Sequence, residues 1–236
     1  MSKNIQFIAS NRKCLEAFDP PIPAKKILPE WYKEQGKYTG PTINYGDNGN
    51  PNHTIKACMP VFDIITAGYI VTMPADVNFT RNLENGGVDT VWSTDLIRCI
   101  ESHPVSQYDK FSVPEGYDQS ALKIVQPWII KTPPGYSCML IQPSYRSDLP
   151  FYVLPAIVDT DKHPLPINFP FFIKNNFEGT VEYGTPIMQI IPFKRENWKS
   201  SVSVDLRDEA EEIWQKARRK LANRYKTFYR TIKNWD

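Results

Sequence analysis

Short runs of apolar residues, each ended by Pro, Gly, Asn or Asp, recur along the chain between residues 57 and 193. This is the pattern of β-strands separated by turns. Strand spacings of about 8 to 15 residues predict one mainly β body, built as a sandwich, a jelly roll or a compact barrel. The predicted strands span residues 69–73, 76–80, 88–92, 122–125, 128–132, 136–142, 151–158, 169–174, 179–183 and 186–193.

The two ends of the chain follow other patterns. Residues 1–54 predict an extended N-terminal arm that holds a strand at 5–9, a short helix at 27–34 and an exposed loop at 39–52. Trp31 and Tyr32 are expected to fix this arm to the body. The body is expected to span residues 55–204 and to include a helical turn at 59–66.

One long amphipathic α-helix is predicted over residues 205–236. Acidic residues open it and basic residues follow, as the helix dipole favours. Its apolar positions fall on one stripe at steps of seven, four and three. They are Trp214, Leu221, Tyr225, Phe228, Ile232 and Trp235.

Composition supports a β protein of ordinary core size. The 236 residues include 21 Pro, 6 Trp, 12 Tyr and 12 Phe, a mix that favours short strands and packed turns. There is no apolar run long enough for a membrane span and no secretory signal pattern. The four cysteines are scattered without a Cys-x-x-Cys pair, so reduced thiols are expected and a zinc site is not.

The formal net charge of +2 is unevenly distributed. Residues 216–233 contain eight basic residues and no acidic one. On an amphipathic helix such a run forms a solvated face, or a face that contacts nucleic acid or an acidic partner.

A family resemblance runs from about residue 20 to residue 200. The segments that carry it are 24–33, 56–63, 67–70, 131–137, 159–161, 167–171 and 184–195. Together they resemble an uncharacterised protein family that is common in tailed-phage genomes, especially those of cyanophages, and that also occurs in bacteria. The resemblance implies a phage or prophage-like origin, a place in the host cytoplasm or the virion, and partners that are other phage proteins or copies of the same chain.

A second, shorter resemblance covers about 60 residues. The order of Pro134–Ser137, Asp159, Ile167–Phe169 and Gly184–Ile190 is similar to the strand order of the dUTPase and dCTP-deaminase fold, a β-clip-like fold. The substrate motif, the Gly-rich tail and the Arg-Ser-Ser motif of those enzymes are missing here. No catalytic residue therefore carries over.

If the β body binds a small molecule such as a nucleotide, seven polar residues are the candidates for its pocket. Asp159 and Asp161 would face the same side of an extended segment and hold a cation or act as acid and base. The alternative is that the segment is simply a turn. The seven candidates are Lys131, Tyr136, Asp159, Asp161, Asn168, Gln189 and Arg195.

Other candidate groups have a simpler structural interpretation. His53, His103 and His163 lie in no metal-binding pattern and are expected at the surface or in turns. Ser137 is expected to be a half-buried strand residue rather than a nucleophile. Asp63, inside an apolar run, needs a partner, such as a backbone cap or Lys56.

Two functions remain open from the sequence. The first is a non-enzymatic phage protein with a structural or assembly role. The second is a small-molecule binding protein or enzyme of a β-clip or jelly-roll fold. No cofactor or metal is expected in either case, and the scarcity of catalytic patterns favours the first.

Overall fold

A computed structural model describes residues 3–40, 52–82, 84, 86–202, 210–212, 226 and 230–235. The helices are α1 (Arg12–Ala17), α2 (Glu30–Glu34) and α3 (Met59–Ile65), with 3-10 helices at Ala24–Lys26, Ile55–Ala57 and Val105–Tyr108. The strands are β1 (Gln6–Ala9), β2 (Ile22–Pro23), β3 (Tyr69–Thr72), β4 (Val77–Arg81), β5 (Val88–Trp92), β6 (Ile100–Ser102), β7 (Leu122–Ile124), β8 (Trp128–Lys131), β9 (Tyr136–Ile141), β10 (Phe151–Val153), β11 (Ala156–Val158), β12 (Phe169–Ile173), β13 (Gly179–Val181) and β14 (Pro186–Lys194).

The chain divides into two compact units. The first unit, residues 1–27 and 67–195, contains the sheets β11-β9-β14-β3-β2, β10-β12-β7-β6, β13-β4-β5 and β1-β8. Every strand pair in its described residues is antiparallel. The predicted mainly β fold is therefore confirmed at the level of its class.

Period-two alternation builds the core of the first unit. In β7, Leu122 and Ile124 are buried, whereas Lys123 between them points outward to pair with Glu101. The inward residues of the sheets meet in one apolar cluster. This is expected because each sheet buries its apolar face against another element. Its largest fully buried side chains include Phe79, Phe151, Phe169, Phe171 and Ile173.

Most predicted strands are present, but one prediction is wrong. Residues 151–158 form two strands, β10 and β11, which belong to different sheets. The break falls at Leu154 and Pro155: the Leu154 amide donates to the Pro170 carbonyl, and Pro155 has no amide proton to donate. The apolar pattern missed β6 and the helix α1, whose Asn11 side chain accepts a hydrogen bond from the Cys14 amide.

The second unit, residues 28–66 and 196–236, holds α2 and α3. The predicted short helix is confirmed, but it begins at Glu30 rather than at residue 27, and Pro29 is its N-cap. Tyr32 is buried against Val61 and Ile65 of α3, so burial of apolar side chains orders these short helices, which would be marginal alone.

The predicted C-terminal helix lies largely outside the described residues. Residues 210–212 are helical, whereas residues 230–235 are not. The prediction is therefore wrong for this last segment. Ile232, expected on the buried stripe, is 80% exposed: the segment is held by its cations Arg230 and Lys233, which bind Asp63, and not by burial of its apolar side chain. The predicted 39–52 loop and the basic run 216–233 also lie mostly outside the described part of the chain.

The boundaries of the two units differ from those of the predicted arm, body and helix. Residues 6–9 and 22–23 add strands to sheets of the first unit, through the β1–β8 and β2–β3 pairs. The predicted arm therefore contributes to both units. An apolar alternation of only two to four residues carries too little information to show which sheet it joins.

Candidate functional site

Five of the seven predicted site residues lie close together in the first unit. Lys131 ends β8, Tyr136 begins β9, and Arg195 directly follows β14, while Asp159 and Asp161 lie just after β11. The start of β9 and the ends of β11 and β14 lie at one end of the five-stranded sheet, because β9 pairs antiparallel with both other strands. Lys131 belongs to the β1-β8 sheet and reaches the cluster through the Asp161 carbonyl.

Arg195 is the centre of this cluster. Its guanidinium binds both carboxylate oxygens of Asp161, with Nη1 donating to Oδ1 at 2.8 Å and Nη2 donating to Oδ2. The Gly135 amide also donates to Asp161 Oδ2, at 2.8 Å. The paired fork geometry is the strong form of an Arg–carboxylate contact, and it holds the pKa of Asp161 well below its usual range.

A second carboxylate shares the same arginine. Asp159 Oδ1 lies 3.1 Å from Arg195 Nη1 and accepts a hydrogen bond from Ser137 Oγ at 2.6 Å. The hydrogen bond from Ser137, and then the charge of Arg195, lower the pKa of Asp159. Ser137 Oγ also accepts from Arg195 Nη1 at 2.9 Å, so its proton and one of its lone pairs are engaged.

The two carboxylates converge through a turn, not along a strand. The amides of Lys162 and His163 both donate to the Asp159 carbonyl. Inside the turn, Thr160 is fully buried and bonds Thr132 Oγ1 at 2.7 Å. The structure thus has the turn that the sequence left as the alternative to an extended segment.

Lys131 and Tyr136 contribute less to the cluster. Lys131 Nζ donates to the main-chain carbonyl of Asp161 at 2.7 Å rather than to a carboxylate. The Tyr136 carbonyl accepts from Arg195 Nη1 at 3.1 Å, and its ring lies under Lys3 Nζ, 5.7 Å from the centroid. Both residues therefore help to hold the segment of Asp161 and the side chain of Arg195 in place.

Gln189 and Asn168 do not belong to this cluster. Gln189 is fully buried on the part of β14 that pairs with Ile141 and Ile70. Its Oε1 accepts from the amide and hydroxyl of Ser144, and its Nε2 donates to the Ala67 carbonyl at 2.8 Å. Asn168 directly precedes β12, a strand of a different sheet.

Nucleophilic chemistry finds no support in this cluster. Burial raises the pKa of the Cys138 thiol to about 11, in spite of the opposing hydrogen bond from Thr160. Ser137 contacts a carboxylate and a guanidinium, and none of the described hydrogen bonds brings a histidine to it. Among the described contacts, Ser137 therefore has no histidine to activate it as a nucleophile, and the carboxylate that accepts its proton has a lowered pKa and is a weak base.

The three histidines have separate partners. His53 packs on Tyr38 in the second unit, His103 begins the turn after β6 and bonds Gln107, and His163 accepts from the Leu165 amide. Within the described residues, no group of three or more His, Cys, Asp or Glu side chains is arranged to hold a metal ion.

Asp63 has partners that the sequence did not suggest. Arg230 Nη2 and Lys233 Nζ donate to its two carboxylate oxygens at 2.8 and 3.0 Å, while Lys56 bonds the Lys33 carbonyl instead. Burial alone would raise the pKa of Asp63, but the hydrogen bonds from the two cations outweigh it and lower the pKa. Neither the backbone cap nor the Lys56 pair was correct, because the true partners are about 170 residues away.

The comparison with protein-family models found no match to this chain, nor did the comparison with curated proteins. No helix among the described residues combines the length and the apolar character needed to cross a membrane.

A surface that the sequence analysis missed lies beside the charged cluster. Met139 of β9 stands opposite Ile157 of β11 on one side and Ile191 of β14 on the other. Ile157 is 63% exposed and Met139 is 39% exposed, and Ile191 is half-buried. We call these three residues the apolar strip. The strand-like pattern of residues 136–142 was the available sequence signal. It could not show that Met139, Ile157 and Ile191 lie side by side, because that depends on the strand register.

Proposed function

We propose that this protein is a non-enzymatic protein with a structural or assembly role, and that it binds other protein molecules through the apolar strip. The observation that carries the proposal is the exposure of Ile157 and Met139, side by side across two paired strands. Single exposed apolar residues are normal, whereas adjacent ones mark interaction surfaces more often.

The charged cluster supports this proposal by what its groups already do. Arg195 is engaged by both Asp159 and Asp161, and Lys131 donates to a main-chain carbonyl. A catalytic acid, base or nucleophile needs a pKa matched to its task and access to a substrate. The lowered pKa of both carboxylates makes them poor proton carriers near neutral pH.

The position of the strip also favours a protein partner. β11 is an edge strand of the five-stranded sheet, and among the described residues β9 is its one paired neighbour. Residues 155–157 are exposed along this edge. An edge strand beside an apolar face is the arrangement that binds an added strand or a flat apolar surface. The resemblance to a phage family is consistent with an assembly role.

A photo-crosslinking amino acid at position 157 tests the proposal in cells that express the full chain, phage-infected cells included. Position 91 gives the matched control, because Val91 is 69% exposed on the edge strand β5 but stands opposite Asn78 rather than an apolar residue. We expect a discrete crosslinked protein product from position 157 and none from position 91. Equal or absent crosslinking at the two positions would contradict the proposal.

A further inference from the structure

The partner that best fits the apolar strip is a second copy of this chain. We propose, building on the function proposed above, that two copies pair antiparallel along β11 with Ile157 at the twofold axis. The inference comes from the register of β11, the positions of its charges and the length of its exposed edge.

The register of such a pair extends the strip without interruption. Around a twofold axis at Ile157, this residue lies opposite Ile157 of the second copy, and Ala156 lies opposite Val158. Directly opposed residues of antiparallel strands have their side chains on the same face. Because Ile157, Met139 and Ile191 already form one row, the two rows join end to end into one apolar surface across both copies.

The charges next to β11 select the antiparallel orientation. In this orientation Asp159 lies opposite Pro155 of the second copy, and the two Asp159 residues are four residue steps apart along the strand, about 13 Å. That separation exceeds the screening length of about 8 Å at physiological salt. A parallel pair would instead place Asp159 beside Asp159, where the half-exposed carboxylates repel each other.

The short edge sets the expected strength of the contact. β11 has only three residues, and Pro155 before it lacks an amide proton, so pairing ends there. Stable interfaces bury about 1,200 to 2,000 Å² in total, and three residues per copy with one side-chain row fall below this range. We therefore expect a weak and reversible dimer, with a dissociation constant between about 10 μM and 1 mM.

Sedimentation velocity of the full chain over this concentration range tests the inference. We expect the mean mass to rise from monomer to dimer with concentration. The variant Ile157→Asp places two carboxylates at the twofold axis, so its dissociation constant is expected to rise at least about tenfold. The control Val91→Asp is expected to behave as the original chain. Both positions are exposed, and circular dichroism and thermal unfolding verify that each variant folds.

A disulfide experiment tests the register itself. In a Cys58→Ser background, which removes the exposed native thiol, Ile157→Cys copies are expected to form a disulfide-linked dimer on mild oxidation. Directly opposed residues lie about 4.5 to 5.5 Å apart between Cα atoms, within reach of a disulfide. Asp159→Cys copies, about 13 Å apart in the pair, are expected to remain unlinked.

Three results would overturn the inference: a monomer at all concentrations, a dimer that Ile157→Asp leaves unchanged, or disulfide linkage at position 159 but not at 157. If photo-crosslinking at position 157 captures a different protein while the purified chain stays monomeric, the second copy is excluded and the proposed interaction role stands. If position 157 captures nothing in cells, the interaction role itself fails.

Discussion

Arg195 joins three segments that are distant in the sequence. Its side chain contacts Asp159 and Asp161 after β11, and its amide donates to the Gly135 carbonyl in the turn before β9. A guanidinium with five donors in a fixed fork suits this role better than a lysine. The five clustered residues, which the sequence offered as ligand-binding candidates, thus contact one another at the ends of β9, β11 and β14.

Substitution of Asp161 is expected to destabilise the fold in a pH-dependent manner. The folded-state pKa of Asp161 is lowered, chiefly by the hydrogen bonds from Arg195. A lowered pKa contributes stability above the unfolded value of about 3.9, and this contribution is lost as the pH falls through the folded value. The difference in unfolding free energy between the original chain and Asp161→Asn should therefore be largest at neutral pH and decrease below about pH 4.

Urea unfolding at neutral and acidic pH measures this difference. Asp95→Asn, at an exposed position, is the matched control and should show little effect at either pH. An Asp161→Asn effect of the same size at both pH values would show that the charge of Asp161 is not what stabilises the turn.

Among the described glycines with a positive φ, Gly68 is predicted to be the least tolerant of a side chain. Its φ is +65°, and an added Cβ would lie 1.9 Å from the Ile190 carbonyl oxygen. Gly68→Ala therefore combines backbone strain with a clash between β3 and β14, and we expect it to cost at least about 2 kcal/mol. Gly116 also has a positive φ but has open space around it, so Gly116→Ala should cost about 1 kcal/mol.

Chemical denaturation of the two alanine variants distinguishes the two contributions. Equal losses would mean that strain alone accounts for the effect and that β3 and β14 do not approach so closely at this point.

At the scale of elements, β9 and β14 organise the first unit. β14 pairs with β9 over Gln189–Lys194 and with β3 over Pro186–Ile190. β9 also pairs with β11. β14 thus runs from the buried part of the sheet, where Gln189 lies, to the charged end, where Arg195 directly follows the strand. Two site candidates that are close in sequence are therefore held at different places in the sheet.

Replacement of the buried Gln189 by methionine is expected to destabilise the protein by about 2 to 3 kcal/mol. Methionine keeps the length of the side chain, but the Ser144 and Ala67 main-chain groups would lose their partner, and unpaired buried polar groups are costly. Gln119→Met, at an exposed position, serves as the control. Thermal unfolding of both variants provides the measurement, and a Gln189→Met midpoint equal to that of the control would disprove the role.

At the scale of the whole molecule, the described chain consists of a β unit with one large core and a smaller helical unit. Both units are assembled from segments that are far apart in sequence. In the second unit, Asp63 of α3 binds Arg230 and Lys233. Such closure of long loops costs entropy that only the packed state recovers, so no local pattern could reveal it.

The four thiols provide a test of native packing. Cys14, Cys99 and Cys138 are buried, and Cys58 is exposed. Burial raises the pKa of both Cys99 and Cys138 to about 11, so the thiolate fraction of these two at pH 8 is about one in a thousand. We expect Ellman's reagent to label one thiol rapidly in the native protein and four in denaturant.

The variant Cys58→Ser is expected to abolish the rapid phase of labelling. Rapid labelling of two or more thiols in the native chain would show that the core around Cys99 or Cys138 opens easily, contrary to the packing described here.

The sequence alone determined the class of the fold and most strand positions, because alternation and turn residues are local signals. It also named Lys131, Tyr136, Asp159, Asp161 and Arg195 as candidates for one pocket. Five of the seven site residues indeed meet, but their partners depend on strand register, and a carboxylate that binds an arginine looks the same in sequence as one that binds a ligand.

Tertiary structure decided the rest. It split the 151–158 run at Pro155 between two sheets, placed Gln189 in the interior and paired Asp63 with cations about 170 residues away. It also aligned Ile157, Met139 and Ile191 into one exposed row. The physical reason is common to all four: each depends on which strand or segment lies next to which, and that choice is made by burial of the whole core rather than by any local run of residues.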